Sequence, residues 1–388
     1  MTMRPLTILI TGVGAPGAYG VIRSLRTNGE RQIRIVGVDL DPYLACRQMI
    51  DRFHQVPPRT TPAFAERVLE LVGTERVDVV LPVPTEELEL FATLRGEIEA
   101  LGARVMVSDL PGLQVANHKP SLYRKIAEIG GVPIPDHRLV QSVDQLVAAV
   151  RALGHPDRAV CVRRPEGAGA RGFRVIDESA DHGRIFAEEM PDSTIVSLDG
   201  LLRVLQRMEP FVPLIVQEHL PGDEFDADVL AMKGNPLCVI PRRNDRMLWG
   251  MSLVATTEDN ETIRELASRV VRGLGLSYVV SVTFKLSQDG RAKLLEVNPR
   301  IPGSIVITTG AGVNLPYLAL KLALGEPFTI PPVTWGLTMI RYWDEVFVSP
   351  DGQAVELGSF IPEPPEGARG PELPGGPPLG QGTDLNAE

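Results

Sequence analysis

The stretch that most narrows the fold lies at the start of the chain. Leu6-Thr7-Ile8-Leu9-Ile10-Thr11 is apolar enough for a buried strand and runs straight into Gly12-Val13-Gly14-Ala15-Pro16-Gly17. Gly20 to Leu25 has helical spacing, and Ile33-Arg34-Ile35-Val36-Gly37-Val38-Asp39 is a second strand ending in an acid. Val77–Val83 and Val105–Val107 continue the alternation, with Thr85-Glu86-Glu87 as a helix start carrying acids in its first turn. Strands alternating with helices specify a parallel sheet. The loops at its strand C-ends, Gly12–Gly17, Asp39–Asp41 and Pro84–Glu87, are where such a domain presents a ligand. The glycines, the helix start and the acid about twenty residues on also match the dinucleotide-binding fingerprint. A tight turn in any doubly wound sheet asks for the same glycines.

The rest of the chain sets broad bounds. Its 388 residues suffice for two or three domains, and 39 basic against 49 acidic residues give a net charge of −10. That balance argues against nucleic acid as a partner, so an anionic substrate needs a local basic site. Cys46, Cys161 and Cys238 match no metal or redox spacing and read as core residues of a reducing compartment. With no leader and no apolar run long enough for a bilayer, the expected location is cytoplasmic, away from membranes. Basic residues are mostly arginine, lysine occurring only at 119, 125, 233, 285, 293 and 321. From 360 to 388 the composition, rich in Pro, Gly and Glu, predicts a disordered tail.

Between these ends lie the residues with chemistry. Ala159–Pro165 is a strand entering a glycine loop, Glu166–Gly172, and Phe173–Ile176 returns from it. Such a flap can lay backbone N–H groups over phosphates, or simply be a long hairpin loop. Leu214–Leu220 is a strand turned by Pro221-Gly222-Asp223, and the return strand carries Glu224, Asp226 and Asp228 on one face. Those acids need solvent, as on an edge strand, or a cationic or hydroxylic partner. In Leu294-Leu295-Glu296-Val297-Asn298-Pro299-Arg300, Glu296 and Asn298 point the same way as hard oxygen ligands suited to Mg2+. Arg300 follows, able to fork onto phosphate or carboxylate oxygens.

In this order the landmarks resemble the ATP-grasp superfamily, most closely single-chain relatives of the ATP-binding halves of the carbamoyl phosphate synthase large subunit. The resemblance covers residues 1 to about 345 and rests on Leu295–Arg300, Gln217–Glu224 and Arg164-Pro165 with the glycine loop. It implies an α/β and α+β chain. A Rossmann-like domain (1–112) precedes a two-subdomain ATP-grasp fold: a lid region (113–210), then a central subdomain with the metal site (211–348). It sets the dinucleotide reading aside, because the leading domain in this family usually binds no nicotinamide.

The resemblance also implies roles for particular residues. Gln217, Glu218, His219 and Leu220 line the adenine hinge, and Glu224 accepts hydrogen bonds from the ribose. Arg164, Glu166, Gly167, Gly169 and Gly172 close over the phosphates, and Lys119 reaches the α-phosphate. Glu296 and Asn298 hold Mg2+, with Mn2+ as a substitute, and Arg300 with Arg242 meets the reacting carboxylate. Two departures stand out: Arg164 replaces the usual lysine before the loop, and Thr283 stands where an acidic or amide metal ligand is usual. The expected function is an ATP- and Mg2+-dependent carboxylate–amine ligase that acts through an acyl phosphate and releases ADP. Its partners are small-molecule acids and amines, and homodimerisation is common in the family. A carbamoyl phosphate-type carboxylate kinase and a weakly active nucleotide-binding regulator are the alternatives.

Overall fold

The computed structural model describes residues 3–167, 172–188, 194–248, 250–349 and 354–356. Leu6–Thr11 (β1), Ile33–Asp39 (β2), Arg52–Gln55 (β3), Val79–Pro82 (β4) and Arg104–Val105 (β5) form one parallel sheet in the order β3-β2-β1-β4-β5. Strands β1, β2 and β4 are apolar almost throughout because helices cover both faces of a parallel sheet. The order reverses between β1 and β4, and that crevice lies at the C-terminal ends of the strands.

A second sheet contains His137–Val140 (β6), Val160–Arg163 (β7), Arg174–Ile176 (β8), Ile195–Val196 (β9) and Leu214–Glu218 (β10), in the order β6-β10-β7-β8-β9. Because β10 pairs with β6 and β7, this sheet reaches Glu218, past the 210/211 division placed from sequence.

The third sheet positions the chemistry. Glu224–Met232 (β11), Asn235–Leu248 (β12), Met251–Thr257 (β13), Tyr278–Leu286 (β14), Ala292–Asn298 (β15) and Thr338–Ile340 (β16) pair antiparallel in the order β15-β14-β11-β12-β13-β16. Strand alternation divides its residues. Phe225, Ala227, Val229, Val280, Val282, Phe284, Leu294 and Val297 pack against helices Lys119–Ile129 and Glu261–Leu274 through Leu122, Ile126, Ala267 and Val271. The opposite face carries Glu224, Asp226 and Asp228. These acids are therefore not on an edge: β11 is interior, between β12 and β14.

A register shift between Thr283 and Phe284 makes Leu295 the extra residue of a bulge in β15. Without it Glu296 would share a face with Leu294; with it, Glu296 stands opposite Thr283 and Asn298 opposite Ser281. The Leu295 carbonyl accepts a hydrogen bond from Tyr123 Oη at 3.0 Å. Thr338–Ile340 pairs with β13, whereas Phe347–Val348 pairs with Ala354–Val355 in a separate small unit. The tail expected over 360–388 lies outside the described residues. Among those residues, no helix is long and apolar enough to cross a membrane.

The loop after Arg300 packs on the glycine turn after β1. A Cβ on Gly17 would stand 2.7 Å from Gly303 Cα, a backbone atom that cannot swing aside. Gly17→Ala should cost about 1–3 kcal/mol, the usual scale of overpacking, read as a lower urea midpoint with unchanged slope.

Candidate active site

Glu296 is the hub. Arg163 Nη2 donates to Glu296 Oε2 at 2.6 Å, and Lys119 Nζ lies 3.4 Å from the same oxygen. Asn298 Nδ2 donates to Oε1 at 3.3 Å. Burial would raise this carboxyl's pKa, but the Lys119 and Arg163 cations outweigh it and hold it down to about 2. Lys119 opens the helix Lys119–Ile129, is itself buried, and has its own pKa lowered by that burial. Its N–H donates to Pro165 O at 3.0 Å and its Nζ to Gly167 O at 3.4 Å, tying the helix start to the glycine loop.

Arg163 is the residue that sequence reasoning passed over in favour of Arg164. Strand alternation was the available signal, since Arg163 shares its face of β7 with buried Cys161. Arg164 is exposed, and its stem crosses Gly172, where a Cβ would come 2.9 Å from Arg164 Cγ. Gly167 and Gly172 take φ values of +109° and +74°, conformations that glycine adopts without strain. Glu166 and Gly167 are exposed, and Gly169 lies outside the described residues.

The hinge candidates sit where the second sheet passes to the third. Gln217 is buried, with its Oε1 3.5 Å from Tyr123 Oη. Glu218 accepts a hydrogen bond from the Asp136 N–H at 3.0 Å and pairs with Lys293. His219, half-buried, has its pKa lowered by burial, and Leu220 is buried. Glu224 follows on the polar face, 3.8 Å from Lys285 Nζ, with its pKa raised by burial and then by Asp226.

Arg242 and Thr283 turn inward to the acids of β11. Arg242 is fully buried, with Nη2 2.8 Å from Asp226 Oδ2 and Nε 3.0 Å from Asp228 Oδ2; its Nη1 donates to Asn244 and Ser252. This is the cationic partner that Asp226 and Asp228 required, as Lys285 is for Glu224. Thr283 Oγ1 donates to Asp226 Oδ1 at 2.5 Å, so the hydroxyl at the expected ligand gap is spent on a carboxylate one strand over. Arg242, Asp226, Thr283 and Glu296 lie on one row across four strands. Arg300, half-buried, leaves the sheet in the other direction: Nε donates to Thr85 Oγ1 at 2.9 Å and Nη2 to Asn298 Oδ1 at 3.4 Å.

Residues 210–342 match a family described as ATP-grasp in the biosynthetic pathway with Ter operon, and residues 8–106 match the PylC-like N-terminal domain. Over residues 210–342 the chain is similar to ATP-grasp proteins. Carbamoyl phosphate synthase large chains from Methanobrevibacter smithii and Methanothermobacter thermautotrophicus are 25% and 27% identical to it, over 69% and 81% of this chain. The chain spans only 25% and 29% of those relatives' own length. N5-carboxyaminoimidazole ribonucleotide synthetase in complex with ADP shares its fold with a TM-score of 0.63 at 17% identity, over 87% of this chain and 82% of that one. The biotin carboxylase domain of Hydrogenobacter thermophilus 2-oxoglutarate carboxylase does so with a TM-score of 0.63 at 16% identity, over 87% and 74%.

Two expectations concern stability. Arg242→Met would leave Asp226 and Asp228 buried without their cation, costing about 3–5 kcal/mol in urea denaturation. The second concerns Glu87, buried at the end of β4 and raised by that burial to about 7; Arg59, Asp39 and Glu86 are the charged groups around it. A carboxyl raised in the folded state favours folding at low pH and loses that advantage as pH rises through the folded value. Glu87→Gln should therefore gain on the wild type between pH 4.5 and 8, by roughly 3 kcal/mol at about 1.4 per unit. A difference independent of pH in paired urea titrations would refute the assignment.

Proposed function

We propose that the chain is an ATP- and Mg2+-dependent carboxylate–amine ligase. The observation that carries this reading is the meeting at one carboxylate of three elements: Lys119 from a helix start, Arg163 from the second sheet, and the Glu296–Asn298 pair of the third. Two cations beside a glycine loop suit a polyphosphate. The matches to carbamoyl phosphate synthase large chains and to ADP-bound synthetase folds support the same reading.

The residues fit Mg2+. Among the described residues no group of three or more His, Cys, Asp or Glu side chains could hold a metal alone. Mg2+ commonly binds through one or two carboxylates together with substrate phosphates and water. Glu296 and Asn298 would supply the protein's share, with Glu296 exchanging its cationic partners for the ion. When bound, the ion neutralises charge on the transferring phosphoryl group.

Around it, Glu218 to Leu220 would hold the adenine and Glu224 the ribose. Lys119 and Arg163, with Arg164 and the glycine loop, would hold the phosphates. Arg300 would orient the acid's carboxylate for attack on the γ-phosphate, releasing ADP and giving an acyl phosphate, from whose acyl carbon an amine then displaces phosphate. Arg242 would act from behind, fixing Asp226 in line with Glu296. The domain division at about 112 and 210 belongs to this proposal, with β10 leading into the hinge.

Glu296→Ala should reduce ADP release by roughly 10²–10³ or more, the scale of losing one key electrostatic group. Mn2+ binding in the presence of a non-hydrolysable ATP analogue, followed by paramagnetic resonance, should weaken in parallel. Unchanged ADP release would refute the metal-ligand role. Phosphate release without any amine would favour a carboxylate kinase.

A further inference from the structure

Sheet order sends attention to a second place. In an open parallel sheet the crevice at a reversal of strand order is where ligands bind. Here the reversal is between β1 and β4, and the residues beyond those strand ends are Thr11, Gly12 and the turn Thr85–Glu87. The crevice has a third wall, the segment after β15: Arg300 Nε donates to Thr85 Oγ1 at 2.9 Å, and Gly303 abuts Gly17. It thus adjoins the site proposed for the acid.

Glu87 stands in this crevice and is only 5% exposed. Among the described residues, its carboxyl has one hydrogen-bond partner, Thr11 Oγ1, which donates to Oε2 at 2.5 Å. Its other oxygen, Oε1, is not among the fully buried atoms that lack a partner. The charged groups around it do not neutralise it: Arg59 reaches Glu86 Oε1 at 3.9 Å, and Asp39 and Glu86 add negative charge. Asp39 is itself turned onto the glycine loop, accepting from the Gly14 N–H at 2.8 Å. A carboxyl largely removed from water, with two further acids near it, is costly to the fold while ionised. A bound donor that brings positive charge would supply the missing charge.

We infer that the β1/β4 crevice is a subsite for a primary ammonium group, with Glu87 as its anion and Thr11 holding the carboxylate in place. The ligand class is a small amino compound, one of the two substrates of the ligase, entering beside Arg300. This rests on the ligase reading only for the use made of the amine. The raised pKa of Glu87 agrees with a site whose counter-ion arrives with the ligand.

The test uses the full chain with a non-hydrolysable ATP analogue and Mg2+. Saturation-transfer NMR compares the standard α-amino acids, β-alanine and linear diamines with their N-acetyl forms, and with glycolate and lactate as hydroxyl counterparts of glycine and alanine. At least one free amine should bind at least ten-fold more tightly than its N-acetyl form, and Glu87→Gln should remove the preference while the nucleotide analogue still binds. No preference for any free amine, a hydroxy acid bound as well as its amine, or a preference that survives Glu87→Gln would each overturn the inference. ADP release in parallel samples, with ATP in place of the analogue and a carboxylic acid supplied, separates the two proposals. Amine preference without ADP formation leaves this subsite and sinks the ligase. ADP formation whose amine KM is unchanged in Glu87→Gln does the reverse.

Discussion

The structure depends on a carboxylate shared between two cations. Glu296 sits at the end of one sheet, Arg163 at the end of a strand in another, and Lys119 at the first turn of the helix packed beneath. Burial works against the charge, and Lys119 and Arg163, with the Asn298 hydrogen bond, outweigh it. The same arrangement accounts for its use in the proposed reaction. The groups that would meet phosphate and the group that would meet a divalent cation neutralise each other until a ligand carrying both charges replaces them. Nucleotide and metal would then be taken up together, each freeing the partner of the other.

Around this hub the third sheet is built as two surfaces with opposite demands. Its apolar face is fixed by helix packing, which leaves the polar face room for a row of side chains in register. Arg242 lies fully buried between Asp226 and Asp228, and Asn244, Ser252, Thr283 and Ser281 complete their hydrogen bonds. Such a network is worth less as stability than as position, because desolvation offsets much of the attraction. What it supplies is a rigid line of oxygen atoms leading to Glu296.

Much of this was legible in the residues. The parallel leading sheet followed from apolar strands alternating with helices, and the polar face of β11 from acids at every second residue. The Glu296–Asn298 pair stood out because a carboxylate and an amide two apart on a strand share a face. Other features were hidden for definite reasons. Arg163 and Arg164 are adjacent cations, and only the phase of β7 against its neighbours turns one inward. Glu87 looked like a first-turn acid complementing a helix dipole. Its burial against Thr11 exists only because strands 68 residues apart in sequence, β1 ending at Thr11 and β4 starting at Val79, lie side by side.

The sequence alone determined which chemistries were available: a glycine loop, hard oxygen ligands, a lysine at a helix start and an arginine after the last sheet residue. These are local properties, set by residue type and by the two-residue period of a strand. Tertiary structure decided which of them meet. The bulge at Leu295 turns Glu296 away from the core, the phase of β7 selects Arg163, and the reversal between β1 and β4 buries Glu87 beside the Arg300 segment. Each is a matter of register between distant strands, and register depends on packing that no single stretch of residues contains.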